Sequence, residues 1–218
     1  FSKEKLHQVE LATSSFGQGQ TVTMIQLASA FSAVINGGNY YQPHVVKEIN
    51  SESGAVVSSN DNTLVKRVVS EDASKLIRKY LEKTVADDEG TASPARVKGY
   101  VIGGKTGTAE KWPRNEGKYL VSFAGFTPTD KPELMIYVVI DEPHVSDQAH
   151  STYATEFASE VLKDVLPMLG IYKQTGKSDS AKKITLPSTK KGNQLLEVPK
   201  GGFSSSTYKV AKSKKNNG

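Results

Sequence analysis

Residues 99–108 read GYVIGGKTGT, and this glycine-rich stretch satisfies two unrelated sequence patterns. From Gly99 to Thr106 it has the spacing G-x-x-x-x-G-K-[ST] of a phosphate-binding P-loop. Residues 105–107 also form the tripeptide K-T-G, which occurs in serine enzymes that work through an acyl intermediate. The first pattern predicts a nucleotide-binding protein and the second predicts an acyl-transfer enzyme, so the surrounding chain has to separate them.

A P-loop predicts a helix directly after Lys105, with its N-terminus facing the phosphates. Gly107 and Pro113 interrupt the segment that would form this helix. The apolar run MIYVVIDE at 135–142 resembles the magnesium-holding strand of P-loop proteins, but two such strands are parallel and need a long crossover. The only long element between them is KYLVSFAGF at 118–126, which alternates like a strand. We therefore reject a P-loop NTPase.

The residues around this stretch predict three helices. Thr23 and Gln26 have the spacing of a capping box, and the helix they begin ends at the turn-forming run Asn-Gly-Gly. Ser70 is the N-cap expected for an amphipathic helix, and a last helix is predicted over 152–169. We expect the inward faces of these last two helices to contain Ala73, Leu76, Ile77, Tyr80 and Leu81, and Ala154, Phe157, Ala158, Val161, Leu162, Val165 and Leu166. Short strand-like pieces are predicted at 45–49 and 64–69.

Three strand-like runs with short turns between them begin at the glycine-rich stretch and predict an antiparallel meander. The K-T-G tripeptide then lies on an edge strand, whose free N–H and C=O groups can accept an extended peptide as a further strand. Gly107 leaves room where the backbone of that peptide approaches. Strand alternation puts Thr106, Thr108, Glu110 and Trp112 on one face and Lys105 on the other.

Composition limits the classes of protein and of site. The chain has 37% hydrophobic and 23% charged residues, which is ordinary for a globular domain. It contains no cysteine, and its four histidines are scattered, so we expect neither a metal nor a cofactor. No run of about 18 apolar residues predicts a membrane-spanning helix.

The C-terminal part of the chain is strongly basic. Residues 170–218 contain 11 Lys and only two acidic residues, whereas the whole chain carries a net charge of +5. We therefore predict a domain over 1–171 and a Lys-rich, flexible tail over 172–218. Adhesion of this tail to a polyanion is an alternative, but its lysines are not interleaved with aromatic residues, so no nucleic acid is expected.

An ordered series of segments resembles the C-terminal part of the transpeptidase domain of class B penicillin-binding proteins. The series consists of LATSSFGQGQTVTMIQLASAFSAVINGG, the P-H at 43–44, the G-T-A at 90–92, GGKTGTAEKW, YLVSFAGFTP, IYVVIDEP and the final helix. This resemblance covers about 1–171. It implies an α+β fold of the penicillin-binding and β-lactamase type, with an antiparallel sheet flanked by helices and incomplete at its N-terminus.

The resemblance implies a D,D-transpeptidase that cross-links peptidoglycan stem peptides through a serine acyl-enzyme. Lys105 would line the active site, and Thr106 and Thr108 would contact the terminal carboxylate of D-Ala-D-Ala or of a β-lactam. The backbone N–H of Thr108 would supply half of the oxyanion hole, so Lys105 and Thr108 are the catalytic candidates. Gly107, Glu110 and Trp112 complete the substrate-binding candidates. Glu110 stands where the family often has Gln, and Met24 stands where it usually has Pro.

The same resemblance places the nucleophile elsewhere. The family's S-x-x-K serine and its S-x-N motif are expected before residue 1, so this chain alone should be inactive and should work with a missing N-terminal part of the same domain. We attribute the S-x-x-K matches at 2–5, 180–183, 188–191 and 206–209, and the S-x-N match at 58–60, to chance. A class D β-lactamase-like hydrolase and a non-catalytic penicillin sensor remain alternatives. The expected location is the extracytoplasmic face of a bacterial cell membrane, with an anchor upstream.

Overall fold

The computed structural model describes residues 7–174, except residues 16 and 61. Residues 175–218 of the predicted tail lie outside the described residues. All four S-x-x-K matches also lie outside them. The described chain contains helices α1 Gln8–Ser14, α2 Met24–Ile35, α3 Glu71–Ala86 and α4 Thr152–Met168 and strands β1 Asn39–Tyr41, β2 Glu48–Asn50, β3 Val56–Ser59, β4 Leu64–Arg67, β5 Gly103–Glu110, β6 Tyr119–Thr127 and β7 Leu134–Asp141.

The glycine-rich stretch and the two runs after it form the predicted meander. Strands β5, β6 and β7 make a three-stranded antiparallel sheet in that order, so β5 is an edge strand. Gly104 lies opposite Gly125 and Thr106 opposite Phe123. Short turns between consecutive strands explain this order, because a parallel arrangement would need a long crossover.

Two small antiparallel pairs, β1 with β4 and β2 with β3, lie between α2 and α3 in the sequence. The predicted strand at 64–69 is present over Leu64–Arg67, but the one predicted at 45–49 begins only at Glu48. Every residue of β2, β3 and β4 is exposed. These strands therefore add little to the core.

The predicted helix starts are confirmed. Thr23 accepts from the Gln26 backbone N–H at 3.3 Å and donates its own N–H to the Gln26 side chain at 2.9 Å, which is a complete capping box. The Ser70 hydroxyl accepts from the Ala73 N–H at 3.2 Å. Each cap satisfies a backbone donor that the first helical turn leaves free.

Two expected inward residues are on the outside. Leu76 is 47% exposed and Phe157 is 57% exposed. On α3 the buried residues are Ser74 and Val85, and the Ser74 hydroxyl accepts from the Gly37 N–H at 2.9 Å. The other residues expected inward on α3 are half-buried, and a buried hydrogen bond from Ser74, which the apolar pattern did not predict, joins this helix to the end of α2.

The sheet separates two packed layers. Phe123 and Val138 lie opposite each other on one face and pack in a cluster with Ala158 and Leu162 of α4. On the other face, the ring of Phe126 meets that of Phe31 from α2 edge-on, with 6.1 Å between ring centroids. In the resulting α+β architecture β5 pairs with β6 on one side only, and α3 contacts its other edge near Gly104.

Candidate active site

The outer edge of β5 presents the backbone of the two threonines of the K-T-G-T run. Lys111 N–H donates to the Lys118 carbonyl at 2.9 Å, and these two residues lie opposite each other, one step beyond the Glu110–Tyr119 pair. Bonded and non-bonded pairs alternate along an antiparallel ladder. Counting back from Lys111, the residues bonded to β6 are Lys105, Gly107 and Ala109, so those with N–H and C=O directed away from β6 are Gly104, Thr106, Thr108 and Glu110.

The side chains of β5 divide between the two faces of the sheet. Thr106 and Thr108 lie opposite Phe123 and Val121, on the same face as Glu110, while Lys105 and Gly107 lie on the other face. Trp112, which was expected to continue the threonine face, lies beyond the end of β5. The structure therefore brings Lys105, Thr106, Gly107, Thr108 and Glu110 together on one strand and places Trp112 in the following hairpin loop.

Lys105 is exposed, and its ammonium donates to the carbonyl of Thr106 at 2.8 Å. Because that carbonyl points off the edge of the sheet, the positive charge also lies beside the edge. Within the described part of the chain Lys105 has no carboxylate partner. The ammonium is thus available to an anionic group that arrives at β5.

Gly107 lies close to a side chain of the neighbouring strand. A Cβ built on Gly107 would lie 2.6 Å from Oγ of Ser122 on the neighbouring strand. Real Cβ atoms do not approach oxygen so closely, so any larger residue would displace Ser122. The sequence predicted room here for the backbone of an added peptide and did not predict the contact with Ser122.

The loop after β5 is fixed by Glu110 at its start. The Glu110 carboxylate accepts the Asn115 N–H at 2.7 Å, and Asn115 adopts a left-handed φ of 70°. Trp112 is 82% exposed, with the Arg114 guanidinium 5.7 Å from its ring centroid. The contact of Trp112 in this structure is therefore the stack with Arg114 in the same loop.

An ion-pair cluster that the sequence did not predict joins the base of this hairpin to the end of β7. Lys111 Nζ lies 2.9 Å from Asp141 and 2.7 Å from Glu142. Hydrogen bonds to Glu142 and then to Asp141 raise the pKa of Lys111. No local sequence pattern connects these acids to Lys111, because about 30 residues separate them from it.

Other chemistry is limited in residues 7–174. In the described part of the chain no cluster of three histidines or acids is arranged to hold a metal. The S-x-N match at 58–60 lies in the β2–β3 hairpin, where the Asn60 amide donates to the carbonyl of Val46 at 2.6 Å. This is a structural bond within the hairpin. No helix of the described chain combines the length and the apolar character needed to span a bilayer.

Comparison with known proteins agrees with this geometry. The family model for the penicillin binding protein transpeptidase domain matches residues 2–163. Stage V sporulation protein D of Bacillus subtilis is 42% identical over 205 residues, covering 91% of this chain and 30% of that protein. The probable peptidoglycan D,D-transpeptidase PenA of Neisseria meningitidis is 31% identical over 161 residues, covering 72% of this chain and 25% of that protein.

A solved structure shares the fold. Penicillin-binding protein 3 of Mycobacterium tuberculosis, complexed with ampicillin, has a TM-score of 0.65 and 25% identity, covering 74% of this chain and 38% of that one. The present chain spans less than a third of the length of each of these two curated relatives. The expected α+β penicillin-binding fold is confirmed, and the family match shows that this chain belongs to the transpeptidase-domain family of penicillin-binding proteins, in its class B.

Proposed function

We propose that this chain provides the substrate-binding strand of a peptidoglycan D,D-transpeptidase, which acts through a serine acyl-enzyme and is inhibited by β-lactams. The observation that carries the proposal is the outer edge of β5, where Thr106 and Thr108 direct their N–H groups away from the sheet and the Lys105 ammonium lies beside them. One relative is named a probable D,D-transpeptidase, and one structural neighbour holds ampicillin.

The proposed roles follow from the positions of these groups. A stem peptide or a β-lactam adds to β5 as a further strand, with its terminal carboxylate at the hydroxyls of Thr106 and Thr108 and near the charge of Lys105. The Thr108 N–H points at the reacting carbonyl and stabilises the oxygen that becomes negative when the nucleophile attacks. One such donor is typically worth about 3 kcal/mol. Gly107 keeps the strand flat where the ligand passes, and Glu110 and Trp112 lie where the peptide leaves the strand.

The nucleophile and its partners are proposed to lie in an upstream part of the same domain. The start of α2 supports this, because Val22, Met24 and Ile25 are each more than half exposed. Apolar side chains grouped in this way suit burial against another part of a protein. The extracytoplasmic location and an upstream membrane anchor are proposed with it, and so is the division at residue 171 between the domain and the Lys-rich tail.

The experiment that tests this function compares the chain alone with a completed domain. Residues 1–218 incubated with a fluorescent penicillin should form no covalent adduct. A chimera that joins the upstream part of the transpeptidase domain of the Bacillus subtilis relative to residue 1 should form one, on the S-x-x-K serine. An adduct on the chain alone would contradict the proposal, and so would a folded chimera that never acylates.

The same chimera separates the transpeptidase from the hydrolase and the sensor. A transpeptidase remains acylated by penicillin and transfers an acyl group from a D-Ala-D-Ala peptide to an amine. A class D β-lactamase releases hydrolysed penicillin repeatedly, and a sensor binds penicillin but transfers nothing. The D,D-transpeptidase name of the relative favours the first outcome.

A further inference from the structure

The outer edge of β5 is closed at one end by a side chain from α3. The hydroxyl of Thr84 lies 2.5 Å from the carbonyl oxygen of Gly104 and 2.8 Å from that of Leu81 in its own helix. The Gly104 carbonyl is the first one on β5 that points away from β6. Thr84 therefore donates to a backbone acceptor that an added strand would otherwise use.

Thr84 is held in place from both sides. Its own carbonyl accepts the Ala92 N–H at 3.0 Å, which fixes the end of α3. Gly103 allows α3 to approach the sheet, since a Cβ on Gly103 would lie 3.2 Å from the backbone nitrogen of Glu82. Thr84 itself is half-buried. Its contact with Gly104 is thus built into the packing of α3 on β5.

The two acceptors at this end of the edge are both occupied by donors from the protein. Thr84 occupies the Gly104 carbonyl, and the Lys105 ammonium occupies the Thr106 carbonyl. The groups that point off this end and are not used by the protein are donors, and they include the Gly104 and Thr106 N–H groups, the Thr106 hydroxyl and the other protons of the ammonium. A carboxylate has only acceptors and matches this set, whereas a continuing peptide has an N–H that would find no acceptor.

We propose that Thr84 is a specificity-determining positioning residue that makes the β5 edge select a ligand ending in a carboxylate over a peptide that continues past that point. The proposal rests on the function proposed above and refines it. Thr84 touches no substrate and acts through the Gly104 carbonyl. When its donor is removed, that carbonyl becomes available to the N–H of a longer ligand.

The test measures binding of two peptides to the 218-residue chain by NMR, with the Thr106 and Thr108 amides as reporters. The first peptide is N-acetyl-L-Lys-D-Ala-D-Ala, and the second is the same peptide extended by Gly-Gly. The wild-type chain should bind the first more tightly. Thr84→Val should reduce the preference for it by about threefold to tenfold, which is the range of one hydrogen bond. Thr84→Ser, which keeps the hydroxyl, should retain the wild-type preference.

Thr84→Ala provides a second deletion of the same donor without a branched methyl group, in case the valine variant does not fold. An unchanged preference in the folded valine or alanine variant would overturn the proposal, and so would a serine variant that behaves like them. If the wild-type Thr106 and Thr108 amides respond to neither peptide, the proposed function itself fails and this inference falls with it. Shifts in the wild type together with an unaltered preference in the variants would remove the role of Thr84 only.

Discussion

Replacing Thr108 by proline should separate the backbone contribution of β5 from its side-chain contribution. Proline removes the N–H group, which is tolerated in a sheet only where that group does not bond to the neighbouring strand. The Thr108 N–H points away from β6, so no ladder bond is lost. Proline at Ala109, one position further along, would instead break a bond to Leu120.

The expected size of the effect follows from the proposed oxyanion role. Losing one donor typically raises the barrier by about 3–4 kcal/mol, which slows acylation about 100- to 1000-fold. Thr108→Pro also removes the hydroxyl, so Thr108→Ala is the matched control, because it removes the hydroxyl and keeps the N–H. The difference between the two variants isolates the backbone donor.

The assay is the rate of acylation by a fluorescent penicillin in the chimera that carries an upstream S-x-x-K serine. Thermal unfolding provides the check on folding, and Thr108→Pro should be much closer to the wild type than Ala109→Pro is. If Thr108→Pro acylates as fast as Thr108→Ala while both are folded, Thr108 does not supply the oxyanion donor. The outward direction derived for its N–H would then have no catalytic meaning.

Three further predictions concern charge, packing and pH. Glu110→Gln should raise the rate of acylation by penicillin about threefold. The Glu110 carboxylate and the ligand carboxylate proposed at Thr108 are two strand positions apart, about 7 Å, and two unit charges at that distance repel by roughly 0.6 kcal/mol in water. An unchanged or slower rate in the chimera would contradict this. Gly107→Ala should lower the free energy of unfolding by about 1–2 kcal/mol, because the added Cβ clashes with the Ser122 hydroxyl. Adding Ser122→Ala should restore most of this loss. Urea unfolding of the chain measures both changes. A hydrogen bond from the Ala149 N–H to the Asp147 carboxylate is the main cause that lowers the pKa of Asp147 from its ordinary 3.8. The local stability that this hydrogen bond adds is therefore present above pH 3.8 and is lost as the pH falls below it. An Ala149 amide resonance that shifts with a midpoint above pH 3.8 would contradict this.

The sequence predicted those parts of the fold that depend on neighbours in the chain. Short turns determine the antiparallel order of the meander, and the caps at Thr23 and Ser70 are local patterns, so both were predictable. The inward face of α3 was partly wrong, because the burial of Ser74 depends on a backbone N–H from a different element. The ion pairs of Lys111 and the bond from Thr84 to Gly104 were missed for the same reason. Each joins residues that only the tertiary fold brings together.

The direction of the threonine backbone groups also depends on tertiary packing, through the register of β5 on β6. A slip of one residue would turn the N–H groups of Thr106 and Thr108 into the ladder and direct those of Lys105 and Gly107 outward. The register is fixed where Gly104 faces Gly125, since the ring of Phe123 lies against both and a Cβ on either glycine would collide with it. A slipped strand would no longer place these two glycines opposite each other under the ring. The glycine before the K-T-G tripeptide therefore supports the proposed function without touching a ligand, because it determines which backbone groups of the strand point off the edge of the sheet.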